Sequence, residues 1–217
     1  MAEVDRLMID EVGISLTQMM ENAGLQLARL AIDRYQPSSV LVLVGSGGNG
    51  GGGLVAARRL SGWGVDVRVA LTRPDLDGVP GSQLSIVRAL GIPIGEPHGA
   101  DLILDAVLGY SLSGPARGRA ESFIYWANDE SIPVLSLDTP SGVDVDTGAA
   151  PGAGVVADAT LTLALPKVGL LKSRYVGELF VADISVPAQL YDRLGIDVPL
   201  DLFRTGQIQP VTMGQGR

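Results

Sequence analysis

Four side chains sit where α/β proteins do chemistry. Asp138 opens the string DTPSG directly after the apolar run VLSL, and Asp105 opens DAVLG directly after LIL. Asn49 lies within GSGGNGGGG, which follows VLVLV, and Ser141 stands three residues after Asp138. A carboxylate at the end of an apolar strand suits proton transfer. It equally suits a plain turn, since Pro140 and Gly142 make one after Asp138, and Asp105 carries the same two readings. Asp105, Asn49 and Ser141 together form a hard-oxygen set, able to hold a cation and ill suited to a soft metal. The glycine stretch offers backbone N–H groups beside a helix start, which favours phosphate. Gly45, Gly47 and Gly50 satisfy G-x-G-x-x-G after a strand, although a tight strand-to-helix turn meets that string as well.

The elements that must position these groups alternate along the chain. Residues 40–44 are β-branched and apolar, as in a strand buried on both faces of a parallel sheet. Residues 45–53 read as loop and 54–60 as helix. Residues 65–71 alternate as a half-buried strand. The runs at 102–104, 134–137, 159–165 and 179–184 are further strands, and 82–90, 119–130 and 187–194 further helices. Near the N-terminus, residues 2–10 form a short helix that Gly13 interrupts. Ser15 and Gln18 have capping-box spacing ahead of a long helix that Pro37 ends. Met19 and Met20 on that helix read as core packing. Strands alternating with helices specify an α/β, mostly parallel, doubly wound sheet. The carboxyl ends of its strands share one edge, so the glycine stretch, Asp105 and Asp138 converge there. Residues 1–204 read as one domain, and 205–217, without periodicity, as a flexible tail. Arg73 stands at the end of a strand where an NAD-binding domain wants an acid; it could meet a 2′-phosphate or be an ordinary surface arginine, and the surface reading is the favoured one. His98, the single histidine, has no visible partner, and Asp144 and Asp146 read as turn residues.

Composition narrows the class. With 217 residues, 46% hydrophobic and 18% charged, the chain has the make-up of a globular protein. The net charge of −8 and the lack of a basic cluster along the sequence argue against nucleic acid as partner. There are no cysteines, hence no thiolate chemistry and no Cys-based zinc site. No signal peptide or membrane-length apolar run is visible, which places the expected location in the cytoplasm.

Five strings occur in order, spread over residues 20–170: MENAG at 20–24, GSGGNGGGGLVAARRL at 45–60, DAVLG at 105–109, LDTPSGVDVDTG at 137–148 and ADATLTLALPKVGL at 157–170. Together they resemble the NAD(P)H-hydrate epimerase family, the YjeF N-terminal domain. The resemblance implies a Rossmann-like three-layer α/β/α sandwich, often a homodimer. It implies repair of hydrated NADH and NADPH by interconversion of the R and S epimers at the hydrated ring carbon. It also implies a potassium ion held by Asn49, Asp105 and Ser141. The nucleotide would lie against Gly48, Asn49, Gly50, Gly51 and Gly52, and against Gly109, Tyr110, Ser111, Leu112, Ser113, Gly114 and Pro115. Asp138 would touch the hydrated ring; a carboxylate so placed suits the acid and base of the reaction on chemical grounds. A kinase-like NAD(P)H-hydrate dehydratase, fused or separate, would be the metabolic partner. Relatives of this domain also serve as binding modules, which is the alternative reading. Two strings depart from the family pattern. The family's G-x-G-N-N-G-G-D-G has Gly48 and Gly52 here in place of Asn and Asp, and its GTGL has Tyr110 and Ser111.

Overall fold

The structure is a computed structural model and describes residues 2–111 and 114–212. Seven strands form one sheet in the order β2-β1-β3-β4-β5-β6-β7: β1 (Ser39–Val44), β2 (Asp66–Leu71), β3 (Leu102–Ala106), β4 (Val134–Leu137), β5 (Ala159–Leu163), β6 (Glu178–Ala182) and β7 (Ile208–Pro210). The first six are parallel and β7 is antiparallel to β6. The side chains of β1 divide by the period of two. Val40, Val42 and Val44 enter the core under α2 (Leu16–Tyr35), α3 (Gly48–Gly62) and α4 (Gly78–Ala89). Leu41 and Leu43 enter the opposite core, under α5 (Gly118–Asp129). The result is the three-layer α/β/α arrangement that the sequence implies.

Several boundaries follow sequence chemistry. The Ser15 hydroxyl accepts from the Gln18 amide while the Gln18 side chain accepts from the Ser15 amide, closing the capping box of α2. Glu21 of α2 accepts from Arg58 and Arg59 of α3 and from Gln83 of α4, which fastens the three helices of that layer. The N-terminal helix is shorter than its sequence reading. It is α1 (Ala2–Leu7), followed by a π-helical turn, Met8–Val12, that buries Met8 and ends at Gly13. The C-terminal stretch differs also. Its sequence reads as a frayed tail from 205, yet Ile208–Pro210 pairs with β6. Three residues are too few to carry a periodic signal, and the open edge of β6 supplies the partners.

The largest departure lies in the glycine stretch. It is not a loop up to residue 53, because α3 starts at Gly48 with Gly47 as N-cap. Glycine is a poor helix former, and tertiary packing overrides that preference here. A Cβ on Gly50 would overlap the Gly45 carbonyl oxygen, one on Gly51 the Met20 sulfur, and one on Gly53 would come within 2.5 Å of Ala106 Cβ. These glycines let α3 lie close upon the sheet and α2. Gly48 is exposed, with nothing within 4 Å of its Cβ position. Gly50→Ala is therefore expected to destabilise the fold by about 1–3 kcal/mol, the usual cost of overpacking. Gly48→Ala is expected to be neutral or to gain up to about 1 kcal/mol of helix propensity. Urea melts of the two variants check both; equal losses would mean that packing does not explain the glycines.

Candidate active site

The carboxyl edge of the sheet opens into a cavity of about 480 Å³. Its polar wall holds Gly48, Asn49, Gly109, Tyr110, Ser111 and Asp138, and its apolar wall Leu16, Met19, Met20, Leu163 and Ile184. Met19 and Met20 are thus both core residues and cavity lining. Gly52 lines the cavity beside Leu137, five residues into α3 rather than at its start. An acid at that position would lie beyond the first turn, where the helix dipole acts most strongly. Gly50 and Gly51 are buried against protein, and Gly114 and Pro115 are exposed away from the cavity lining. Leu112 and Ser113 lie outside the described residues.

Asp138 follows β4 with φ +66°, an unusual backbone for a residue with a side chain. The turn is secured by the Asp138 amide, which donates to Leu161 O at 2.7 Å, and by the Thr139 amide, which donates to Leu137 O at 2.8 Å. The carboxylate is nearly buried and is not alone. Lys167 donates through Nζ to Asp138 Oδ1, to Thr162 Oγ1 at 2.9 Å and to Leu163 O at 3.0 Å. All three ammonium protons therefore have acceptors. Asp138 Oδ2 accepts from the Tyr110 amide at 3.3 Å.

Lys167 is the residue that sequence reasoning missed. A signal existed: the chain has only two lysines, Lys167 and Lys172, and Lys167 stands in the apolar run LTLALPKVGLL. A lysine is rarely buried there without an acid to meet.

Asp105, on β3, is fully buried. Its Oδ1 accepts from the Ser141 hydroxyl at 2.5 Å and the Val107 amide at 3.3 Å; its Oδ2 accepts from the Ser136 hydroxyl and the Ser141 amide, both at 2.8 Å. Burial pushes the Asp105 carboxyl above its ordinary range, and these hydrogen bonds oppose that only in part. No cationic side chain pairs with it among the described residues. Asn49 Nδ2 donates to the carbonyls of Leu108 and Leu137 at 3.0 and 2.9 Å. The Ser141 hydroxyl meets the same Leu108 carbonyl at 3.3 Å. One buried carboxylate without a counter-charge, beside converging neutral oxygens, is a donor set that fits a weakly charged hard cation.

The ring of Tyr110 closes one side of the cavity. Its hydroxyl donates to Asp5 of α1 at 2.5 Å, and burial, then this bond to a carboxylate, pushes the phenol well above its ordinary range. It is a neutral donor that ties the N-terminal helix to the cavity wall. Elsewhere, Asp144 Oδ1 accepts from Asp146 N, Thr147 N and Thr147 Oγ1 as a turn residue, and His98 is exposed, against Arg68 and the Glu96 carbonyl.

Comparison with known proteins gives a consistent set. The family model described as YjeF-related protein N-terminus matches residues 16–169. An NAD(P)H-hydrate epimerase of Dehalogenimonas lykanthroporepellens is 46% identical over 99% of this chain and 91% of its own length. An NAD(P)H-hydrate epimerase of Plasmodium vivax is 34% identical over 90% of this chain and 70% of its own. A bifunctional NAD(P)H-hydrate repair enzyme of Thermofilum pendens is 38% identical over 87% of this chain, which spans 40% of that longer protein. The crystal structure of the yeast protein ynu0 superposes with a TM-score of 0.83 at 25% identity, covering 97% of this chain and 96% of the other.

Proposed function

Since the chain belongs to the family of YjeF-related protein N-termini, we propose that it is an NAD(P)H-hydrate epimerase acting in nicotinamide cofactor repair. The observation that carries this reading is the Asp138–Lys167 pair, set at the wall of a cavity with one polar and one apolar side. The hydrated ring packs against Met19, Met20, Leu163 and Ile184, with its hydroxyl toward Asp138. Lys167 occupies Oδ1, so Oδ2 is the working oxygen. The ring nitrogen's lone pair moves to form a C=N⁺ bond as the carbon–oxygen bond breaks. The departing oxygen takes a proton from the Asp138–Lys167 pair and leaves as water. Water adding to the opposite face of the planar cation releases a proton, which Asp138 takes up, restoring the protonation of the Asp138–Lys167 pair. No proton or electron is gained or lost overall. The phosphates would lie against the backbone at Gly48 and Gly109, both in the cavity lining. Incubating the R epimer of hydrated NADH with the protein and resolving the epimers by NMR tests this; an unchanged spontaneous rate would reject it.

Asp105, Ser141 and Asn49 would hold potassium, with the Leu108 and Leu137 carbonyls beside them. Bound there, the ion would neutralise Asp105 and stiffen the turns after β3 and β4. Potassium chloride is then expected to raise the melting temperature more than sodium chloride at equal ionic strength, by linkage. Asp105→Asn is expected to erase that difference. Equal melting curves of the parent in both salts would remove the ion.

A homodimer, a cytoplasmic location and a partner dehydratase belong to the same reading. Ile9, Val12 and Leu16, each about two-fifths exposed, offer apolar area that a second copy could cover. Light scattering measures the mass. Among the described residues no helix is long and apolar enough to cross a membrane. The dehydratase would lie on another chain or in sequence beyond the region shared with the bifunctional relatives.

A further inference from the structure

A second cavity, of about 450 Å³, opens on the same carboxyl edge at the end of β2. Arg73, Arg88 and Arg119 line it, with Thr72 and one carboxylate, Glu96. The three arginines come from three separate places: the end of β2, α4 and α5. In a chain of net charge −8, such a convergence stands out. Arg119 is anchored, its Nε donating to Leu71 O at 2.8 Å and its guanidinium lying over the Phe123 ring. It also bonds both Glu96 oxygens at 2.8 Å, and Arg88 meets Asp75 at 3.2 Å and Pro74 O at 2.6 Å. Glu96 and Asp75 are 77% and 84% exposed, so both acids sit in water and hold their partners weakly. Arg73 has no ion-pair partner among the described residues.

Position gives the cluster its meaning. The Thr72 amide donates to Val44 O, which places Arg73 beside the turn into α3. From the end of β4, where Asp138 stands, to the end of β2 is three inter-strand spacings, about 14 Å. The strand order reverses between β1 and β3, and in such sheets a dinucleotide lies across that crevice. Its adenylate ribose then meets the end of the strand after the glycine turn. An acid there binds a free 2′-hydroxyl, and arginine accepts a 2′-phosphate. This chain has Thr72 and Arg73 there, with two more guanidinium groups facing the same space. Guanidinium forks bind phosphate oxygens in pairs. Arg73 is therefore more than the ordinary surface arginine that its sequence context suggests.

We propose that Arg73, Arg88 and Arg119 form a phosphate-monoester subsite for the adenylate 2′-phosphate, making hydrated NADPH the preferred substrate over hydrated NADH. This rests on the dinucleotide reading above. Calorimetry with 2′,5′-ADP, 5′-AMP and inorganic phosphate tests the subsite without turnover, so its result stands apart from whether the protein epimerises anything. The parent is expected to bind 2′,5′-ADP at least tenfold more tightly than 5′-AMP, with the gap shrinking as salt rises. Arg73→Gln/Arg88→Gln is expected to close the gap to within twofold. In the epimerase assay the same double variant is expected to lose the preference for hydrated NADPH by about tenfold in kcat/KM. Equal affinity of the parent for the two nucleotides overturns the proposal. So does a preference that survives in a double variant with a parental melting curve, or binding of inorganic phosphate as tight as that of 2′,5′-ADP.

Discussion

Asp138→Asn is expected to lose about 10²–10⁴ in kcat with little change in KM, the usual cost of removing a general acid–base group. Asparagine keeps the size of the side chain, and it tolerates the left-handed backbone of residue 138 better than most residues. Its amide oxygen can still accept from the Tyr110 amide. What it lacks is a proton to give or a charge to take one. Lys167→Met should also lower kcat more than KM, because it leaves Asp138 in the cavity wall while removing the ammonium that orders Oδ1. Steady-state rates on both epimers of hydrated NADH measure this. An Asp138→Asn protein within a few-fold of the parent would move the chemistry elsewhere.

The second large effect is on stability. A lone aspartate at a strand end could be neutralised without harm to the fold. Here the change leaves the Lys167 ammonium buried with no counter-charge. Removing one partner of a buried pair typically costs about 3–5 kcal/mol, whereas replacing both is often nearly neutral. Each of Asp138→Asn and Lys167→Met is therefore expected to lose about that much in urea unfolding. The double variant should lose less than either single one, while staying inactive. In the double-mutant cycle that appears as a coupling of several kcal/mol, and the coupling belongs to the pair. Additive losses would show that the two residues do not depend on each other in solution. The activity assay on the double variant then separates stability from chemistry, since a well-folded and inactive protein cannot owe its inactivity to unfolding.

The glycine positions make a smaller comparison that bears on function. The departures at Gly48 and Gly52 both fall on residues that line the cavity, as do Ser46, Gly47 and Asn49, whereas Gly50 and Gly51 serve packing. Variation at the first pair alters what the ligand meets, and variation at the second alters how α3 sits on the sheet.

By itself the sequence determined the layered α/β architecture, because strand and helix periodicities are local and apolar runs such as 40–44 and 134–137 admit few other readings. It also determined that Asp105, Asp138 and the glycine stretch meet, since parallel strands share one carboxyl edge whatever their order. Residue chemistry grouped Asn49 and Ser141 with Asp105, and the structure brings Ser141 into contact with it. Only the tertiary structure decided three further things, each of which depends on groups distant in sequence. The start of α3 at Gly48 is set by Gly45, Met20 and Ala106 crowding the glycines, a packing effect that outweighs helix propensity. The buried partner of Asp138 is Lys167, 29 residues away, which reaches it because β4 and β5 are neighbours. The arginine cluster joins residues 73, 88 and 119, which share no motif and no regular spacing. Electrostatic convergence of that kind is a property of the folded surface, and a linear chain carries no periodic trace of it.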